Sequence, residues 1–331
     1  MNRHEINRAF ESFKKMNILV IGDVMIDAYV WGKVSRISPE APVPVVNIQK
    51  KEYRLGGAAN VALNLKQLGS NPIICSVVGN DHEAQVFTDL LKKNKITDKG
   101  IISETGRQTT IKTRVIGANQ QLIRIDEEIK NPIDDKTALS LTKKIDEIIN
   151  NKKIDGIIFE DYDKGLLSES TITKIIDIAR KHPVFMAVDP KKENFFNYKN
   201  VSLFKPNLKE LNEGLKLELS ATAFEEIHQA ARSFCQAQKI EQLVITLSEN
   251  GILVSEEKGF TVIPAEKRDI ADVSGAGDTV ISVLTLCKSF GLSIVDSARL
   301  ANLAGGLVCE KIGVVPIDRN ELLDEALAVF S

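Results

Sequence analysis

The stretch Asn17–Asp27, NILVIGDVMID, decides how the chain reads. Its core, ILVI, is a short unbroken apolar run closed by Gly22-Asp23. A run of that length without polar alternation is the pattern of a strand buried on both faces. The residues after it exclude one common use of such a strand. A dinucleotide-binding site needs GxGxxG between strand and helix, and here the chain reads VIGDVMID instead.

The same kind of run recurs along the chain as PIICSVVG (72–79), DGIIFED (155–161), PVFMAVD (183–189), VSLFKPN (201–207) and LVITLS (243–248). Helical patterns separate them over 58–68, 82–94, 136–150, 169–181, 208–214 and 222–238. Buried strands alternating with helices predict an α/β fold: one mostly parallel sheet with helices on both faces, three layers in all. In open sheets of this kind the ligand crevice lies at the carboxyl ends of the strands. Asp23, Asp161, Asp189 and Asn207 close four of these runs.

Three segments break the rhythm. VPVVNIQ (43–49) reads as a strand, and TIKTRVIG (110–117) and QLIRID (121–126), joined at Ala118-Asn119-Gln120, read as half-exposed strands. We read 28–55 with 107–126 as a small β-flap, or lid, inserted in a single domain spanning 1–331. Ser248–Gly251 predicts an Asn-Gly hairpin turn, followed by strands ILVS and GFTVIP. Helices come next over 276–290 and 294–311, then a last one at the C-terminus. At the N-terminus, Ile6, Phe10 and Phe13 predict a short amphipathic helix.

Composition narrows the function classes. The 331 residues are 43% hydrophobic and 27% charged, with Lys+Arg 43 against Asp+Glu 45. That balance argues against nucleic acid or a membrane surface as partner. There is no signal-peptide pattern and no long apolar span, and Cys75, Cys235, Cys287 and Cys309 form no CxxC pair. A cytoplasmic chain with reduced thiols is the expectation.

Three clusters carry the chemistry. Gly275-Ala276-Gly277-Asp278 stands where a loop turns into the helix VISVLTLC. It is either a helix start with an acid suited to the helix dipole, or an amide cradle for a phosphoryl group beside a base. Gly56-Gly57 with Asn60 opens another helix, as a plain turn or as a backbone wall against a sugar. Asn207-Leu208-Lys209-Glu210 has the form of a capping box, and equally suits a nucleotide and a Mg²⁺ held through water.

In this order and spacing, DVSGAGDTV, GGAANVALNLKQLG and NLKE resemble the ribokinase-like (PfkB) carbohydrate kinases. The likeness runs over about 17–325. The segments SRISPEAPVPV, NQQLIR, DYDKG and VDPK are similar to the heptose-phosphate kinase branch, which serves ADP-heptose and lipopolysaccharide synthesis. That kinase is often fused to a nucleotidyltransferase. This sequence ends at Ser331 without an HxGH-type site, so the likeness implies a stand-alone kinase.

The resemblance implies a ribokinase-like sandwich, with ATP and Mg²⁺ as cofactors and a sugar phosphate as acceptor. It implies Asp278 as catalytic base and the backbone of Gly275, Ala276 and Gly277 as anion hole. Asn207, Leu208, Lys209, Glu210, Thr246, Ser248, Gly251 and Asn302 fall along the nucleotide, with Glu210 towards the metal. Asp23, Asp27, Gly56, Gly57 and Asn60 fall on the sugar wall. Arg36, Glu40, Gln121 and Arg124 fall in the covering flap. Asp161, Lys164, Asp189 and Lys191 fall at strand ends. Each has a plainer reading: Asp23 and Asp189 as acceptors for loop amides, the arginines and lysines as solvated charge. Three positions depart from the family pattern: Ala28 where a basic residue is expected, Asp163 where a small one is, and Leu247 where a polar one is.

The function implied is phosphorylation of heptose 7-phosphate at C1. A kinase for another sugar or sugar phosphate, and a weakly active sugar-phosphate-binding protein, remain alternatives. A dehydrogenase is disfavoured by the missing fingerprint. Exposed strand edges in the flap suggest pairing with its twin in a homodimer.

Overall fold

The computed structural model describes residues 1–117 and 120–330, so the turn expected at Ala118-Asn119 lies outside the described residues. The strands are β1 Asn17–Gly22, β2 Val24–Ile37, β3 Pro44–Gly57, β4 Asn71–Val78, β5 Thr97–Ser103, β6 Ile111–Gly117 and β7 Gln120–Glu127. They continue with β8 Gly156–Glu160, β9 Phe185–Asp189, β10 Leu203–Phe204, β11 Gln242–Thr246, β12 Ile252–Glu256 and β13 Gly259–Ile263. The helices are α1 Arg3–Phe13, α2 Ala58–Gln67, α3 His82–Lys93, α4 Asp135–Asn151 and α5 Glu169–Ala179. After them come α6 Leu208–Leu215, α7 Phe224–Gln238, α8 Ala276–Phe290, α9 Ile294–Cys309 and α10 Arg319–Val329.

Nine strands form the main sheet in the order β13-β12-β11-β10-β9-β8-β1-β4-β5. The seven from β11 to β5 run parallel, and β12 and β13 are antiparallel. Successive side chains of a strand point to opposite faces, so each apolar run feeds two cores. Ile18 and Val20 of β1 pack against α2, α8 and α9, while Leu19 and Ile21 pack with α4, α5 and α7. Ile158 and Phe159 of β8 divide in the same way. Each such burial is worth about 1.5–3 kcal/mol, which makes the register hard to shift.

The second sheet has the order β3-β2-β6-β7. It joins the first at Asp23, where β1 passes directly into the 14-residue β2. Its far end carries exposed apolar side chains, among them Ile37, Val43, Ile48, Ile123 and Ile125. No helix among the described residues is long and apolar enough to cross a membrane. All four cysteines are free and buried.

Two local expectations are corrected, and one strand goes unforeseen. The run 201–207 pairs as a strand only at Leu203–Phe204, because Pro206 lacks an N–H and Asn207 already caps α6. The turn at 248–251 is a 3₁₀ turn over Ser248–Asn250, with Ser248 at φ 52° and Gly251 at φ 83°, not a two-residue Asn-Gly hairpin. The edge strand β5, TDKGIIS, lies half in solvent and lacks the apolar run that marked the others.

Candidate active site

Two helices meet at the carboxyl end of the sheet. Asn60 and Asn64 lie one turn apart on α2 and face Asp278 and Thr279 on α8. Asn60 Nδ2 donates to Asp278 Oδ2 at 2.7 Å, and Thr279 Oγ1 donates to Asn64 Oδ1 at 3.1 Å. This pairing fixes where α8 begins. Its N-cap, Gly275, sits at φ 83°, a conformation that costs other residues strain, and it has no side chain to bond the first-turn amides. Gly275 to Asp278 line a cavity of about 770 Å³; the Ala276 amide bonds the Val273 carbonyl at 3.3 Å, which leaves the Gly277 and Asp278 amides to the cavity with the positive end of the helix dipole.

Asp278 is 5% exposed. Its second oxygen accepts the Tyr162 hydroxyl at 2.9 Å. Burial pushes its carboxyl up to about 6, against the opposing bonds from Asn60 and Tyr162. One carboxylate oxygen from each of Glu160, Asp189 and Asp278 lies within 4.8 Å of the others. Glu160 is fully buried, and desolvation, then Asp189, hold its carboxyl well above the usual range. Its Oε2 has no hydrogen-bond partner among the described residues. Two lysines balance part of this charge. Lys205 Nζ pairs with Asp189 Oδ2 at 2.7 Å, and Lys191 pairs with Glu210. Burial alone would discharge Lys205, but Asp189 and Glu210 hold its pKa above normal.

Asn207 and Glu210 form the capping box in full: each side chain accepts the other's backbone N–H, both at 2.8 Å. The plain and the functional readings of this motif coexist, because both residues also line the cavity. Thr246, Ser248, Gly251, Asn302, Asp189 and Lys191 line it too. Leu208 and Lys209 do not. They border a separate depression, with Lys209 exposed and 3.8 Å from Glu213.

The expected sugar wall divides. Asp27 is buried and paired with Arg114 at 2.5 Å, and Gly56 lies so near it that a Cβ there would collide with Asp27 Oδ2. Gly57, at φ 58°, is the N-cap of α2. Asp23 follows the plain reading. It accepts the amides of Tyr162, Lys164 and Leu166 at 3.0, 3.1 and 3.2 Å, and lines no part of the cavity. Asp161 is likewise spent on Tyr198, Asn194 and the Asp163 amide. Lys164 pairs with Glu128 at 2.9 Å, away from the cavity. Arg36, Gln121 and Arg124 are exposed on the second sheet and Glu40 is exposed in the β2–β3 connection, and Arg124 pairs with Asp126 at 2.8 Å. The structure does not bring these four to Asp278.

Tyr162 and Lys205 line the cavity, and sequence reasoning does not single them out. Both lie inside segments that carry the family resemblance, DYDKG and KPNLKE, beside residues that it does name. Two departures from the family pattern sit in constrained places. Asp163 holds φ 51°, a left-handed conformation that favours glycine, and Ala28 is buried in the base of β2.

The model of the pfkB family carbohydrate kinases matches residues 15–319. The chain belongs to the pfkB family of carbohydrate kinases. It is 41% identical over 298 residues to the bifunctional protein HldE of Helicobacter pylori (strain HPAG1), covering 89% of this chain and 63% of that protein. It is 36% identical over 334 residues to the bifunctional protein HldE of Pelobacter propionicus, covering 100% of this chain and 67% of that protein. The chain thus spans about two thirds of these relatives' length. Among solved structures, Escherichia coli phosphofructokinase-2 in complex with fructose-6-phosphate matches with a TM-score of 0.75 at 17% identity, covering 96% of this chain and 99% of that one. Arabidopsis thaliana ribokinase complexed with ribose and ATP matches with a TM-score of 0.74 at 17% identity, covering 96% and 100%. These likenesses establish the ribokinase-like fold. As a pfkB member, the protein is a carbohydrate kinase.

Proposed function

We propose that this kinase transfers the γ-phosphoryl group of ATP to the anomeric C1 hydroxyl of D-glycero-D-manno-heptose 7-phosphate. The product is the 1,7-bisphosphate, a precursor for ADP-heptose and lipopolysaccharide core. The observation that carries the reading is Asp278: a buried carboxylate held by two donors, beside uncapped helix amides, on a cavity that also takes in Asn207 and Glu210. The choice of heptose rests on SRISPEAPVPV and NQQLIR and on the likeness to HldE.

In this reading Asp278 accepts the proton of the C1 hydroxyl as that oxygen attacks. The amides of Gly277 and Asp278 hold the charge of the group in transit, with Lys205 and Lys191 beside them. Thr246, Ser248, Gly251 and Asn302 line the nucleotide side. Phosphoryl transfer asks for placement and charge neutralisation more than covalent chemistry, and these residues supply both. The donor set suits Mg²⁺ bound with ATP: Glu210, at the cavity wall, would hold the ion through water with the remaining lone pairs of a carboxylate that also accepts Lys191 and the Asn207 amide. Such an ion would neutralise charge on the phosphate oxygens.

The chain is read as one kinase domain over 1–331, with the flap of 28–55 and 107–126 as its lid. The exposed apolar residues of that sheet support a homodimer formed through the flap, and we read the protein as cytoplasmic. A solution mass of one subunit would overturn the dimer.

Phosphorus NMR of the product from ATP and heptose 7-phosphate tests the function. The expected result is a new phosphate resonance coupled to the anomeric proton. Release of inorganic phosphate alone, or transfer to another sugar in preference, would overturn it.

A further inference from the structure

The loop after β8 is unusually well fastened. Asp23, at the end of β1, accepts three of its amides, and Asp161 accepts the amide of Asp163 at 2.9 Å. Two adjacent strand ends therefore set the backbone of Tyr162. The side chain leaves that loop into the cavity wall, with the Lys191 ammonium 5.3 Å from the ring centre. Its hydroxyl reaches Asp278 Oδ1 at 2.9 Å, while Asn60 takes Oδ2 at 2.7 Å. A carboxylate turns easily about its last bond. Held by one donor it would still swing. Held by two, from α2 and from the β8 loop, its plane is set.

We propose that Tyr162 is a positioning residue for phosphoryl transfer: its hydroxyl, donated to Oδ1, and Asn60, donated to Oδ2, together turn the free lone pairs of Asp278 towards the acceptor hydroxyl. The inference rests on the reading of Asp278 as base. Tyr162 keeps its own proton throughout. The proton of the acceptor goes to Asp278 as the acceptor oxygen bonds to phosphorus, and ADP leaves. The same bond also sets the basicity of Asp278. A hydrogen bond to the charged form favours that form, so Tyr162 offsets the burial and the Asp189 charge that push Asp278 upward. The charged and titratable groups around Asp278 are Glu160 on β8, Asp189 on β9, Lys205 after β10, and Lys191 across the Tyr162 ring.

The test compares wild type, Tyr162→Phe and Asp278→Asn. Phenylalanine keeps the ring and its packing and removes only the donor. Carbon-13 NMR of labelled aspartate, with Asp278 assigned by its loss in Asp278→Asn, reads its titration with no sugar present. The expected result is a titration about one pH unit higher in Tyr162→Phe. In kinetics with ATP and heptose 7-phosphate, kcat falls about ten- to a hundredfold, the acid limb of kcat/KM moves the same way, and the ATP dissociation constant stays put. Replacing Tyr162 with 3-fluorotyrosine, a stronger donor, moves the titration down and serves if Tyr162→Phe is poorly folded. An Asp278 titration unchanged in both variants overturns the inference, as does a wild-type pH profile for Tyr162→Phe while Asp278→Asn is inactive. Near-normal turnover by Asp278→Asn would instead sink the base itself, and the inference with it.

Discussion

Gly277→Ala separates the use of the α8 amides from their contribution to folding. A Cβ built on Gly277 would meet Lys205 Nζ at 3.7 Å and Asp189 Oδ2 at 3.8 Å, both ordinary contacts. Gly277 is the second residue of α8, and alanine in a helix is favoured over glycine by about 0.5–1 kcal/mol. The variant should therefore unfold at the same temperature or about 1–2 °C higher. Its chemistry should fail. An oxygen of the travelling group bonded to the Gly277 amide and to Lys205 must sit within about 3 Å of each, and a methyl on Gly277, 3.7 Å from Lys205 Nζ, would crowd it. Loss of one such donor costs about 10²–10³ in kcat, or about 3–4 kcal/mol. Thermal unfolding and a coupled assay for ADP release measure the two effects side by side. A stable Gly277→Ala enzyme within about threefold of wild-type kcat would refute the cradle. Gly275→Ala cannot make this distinction, because φ 83° strains alanine and its Cβ would come 3.1 Å from Asn60 Nδ2.

Stability should fall as pH rises from about 4 through about 6. Burial pushes Asp161 and Asp278 up to about 6, so the folded chain holds protons that the unfolded chain has released. Their contribution is complete below about pH 4 and is lost as pH climbs through 6, approaching roughly 3 kcal/mol for each. Carboxyls held below normal, such as Asp126 and Glu128, act only at more acidic pH. Urea midpoints at pH 5.5 and 7.5 check the sign: a higher midpoint is expected at pH 5.5, with a smaller difference in Asp278→Asn. Asp23→Ala strands three loop amides and should cost about 3 kcal/mol of stability, read from the urea midpoint. If Asp23 were instead a sugar ligand, the variant would lose kcat/KM and keep its stability.

Most of the fold can be read from the chain because its information is local. ILVI and its counterparts mark buried strands without reference to any partner, and the Asn207–Glu210 box names the start of α6 from four residues. β5 is hidden because its polar first half, TDK, lies in solvent. The site is legible where backbone chemistry carries it: Gly275 needs its left-handed turn wherever the chain goes next. It is illegible where a side chain's task depends on a distant neighbour. Asp23 and Asp189 look alike at their strand ends, yet Asp23 faces three loop amides and Asp189 faces Lys205. Tyr162 acquires its role from a bond across 116 positions to Asp278, and nothing in DYDKG announces that partner. The flap arginines Arg36 and Arg124 are candidates by resemblance alone, and in the single subunit they meet solvent.

The most direct test of the account is the turnover of Asp278→Asn with ATP and a sugar substrate of the wild-type enzyme. Asparagine keeps the size of the side chain and removes the base. The account predicts a drop in kcat of about 10²–10⁴ with the KM for ATP little changed. Turnover close to wild type would mean that the acceptor loses its proton elsewhere, and that Asp278 is only an acid buried at the start of a helix.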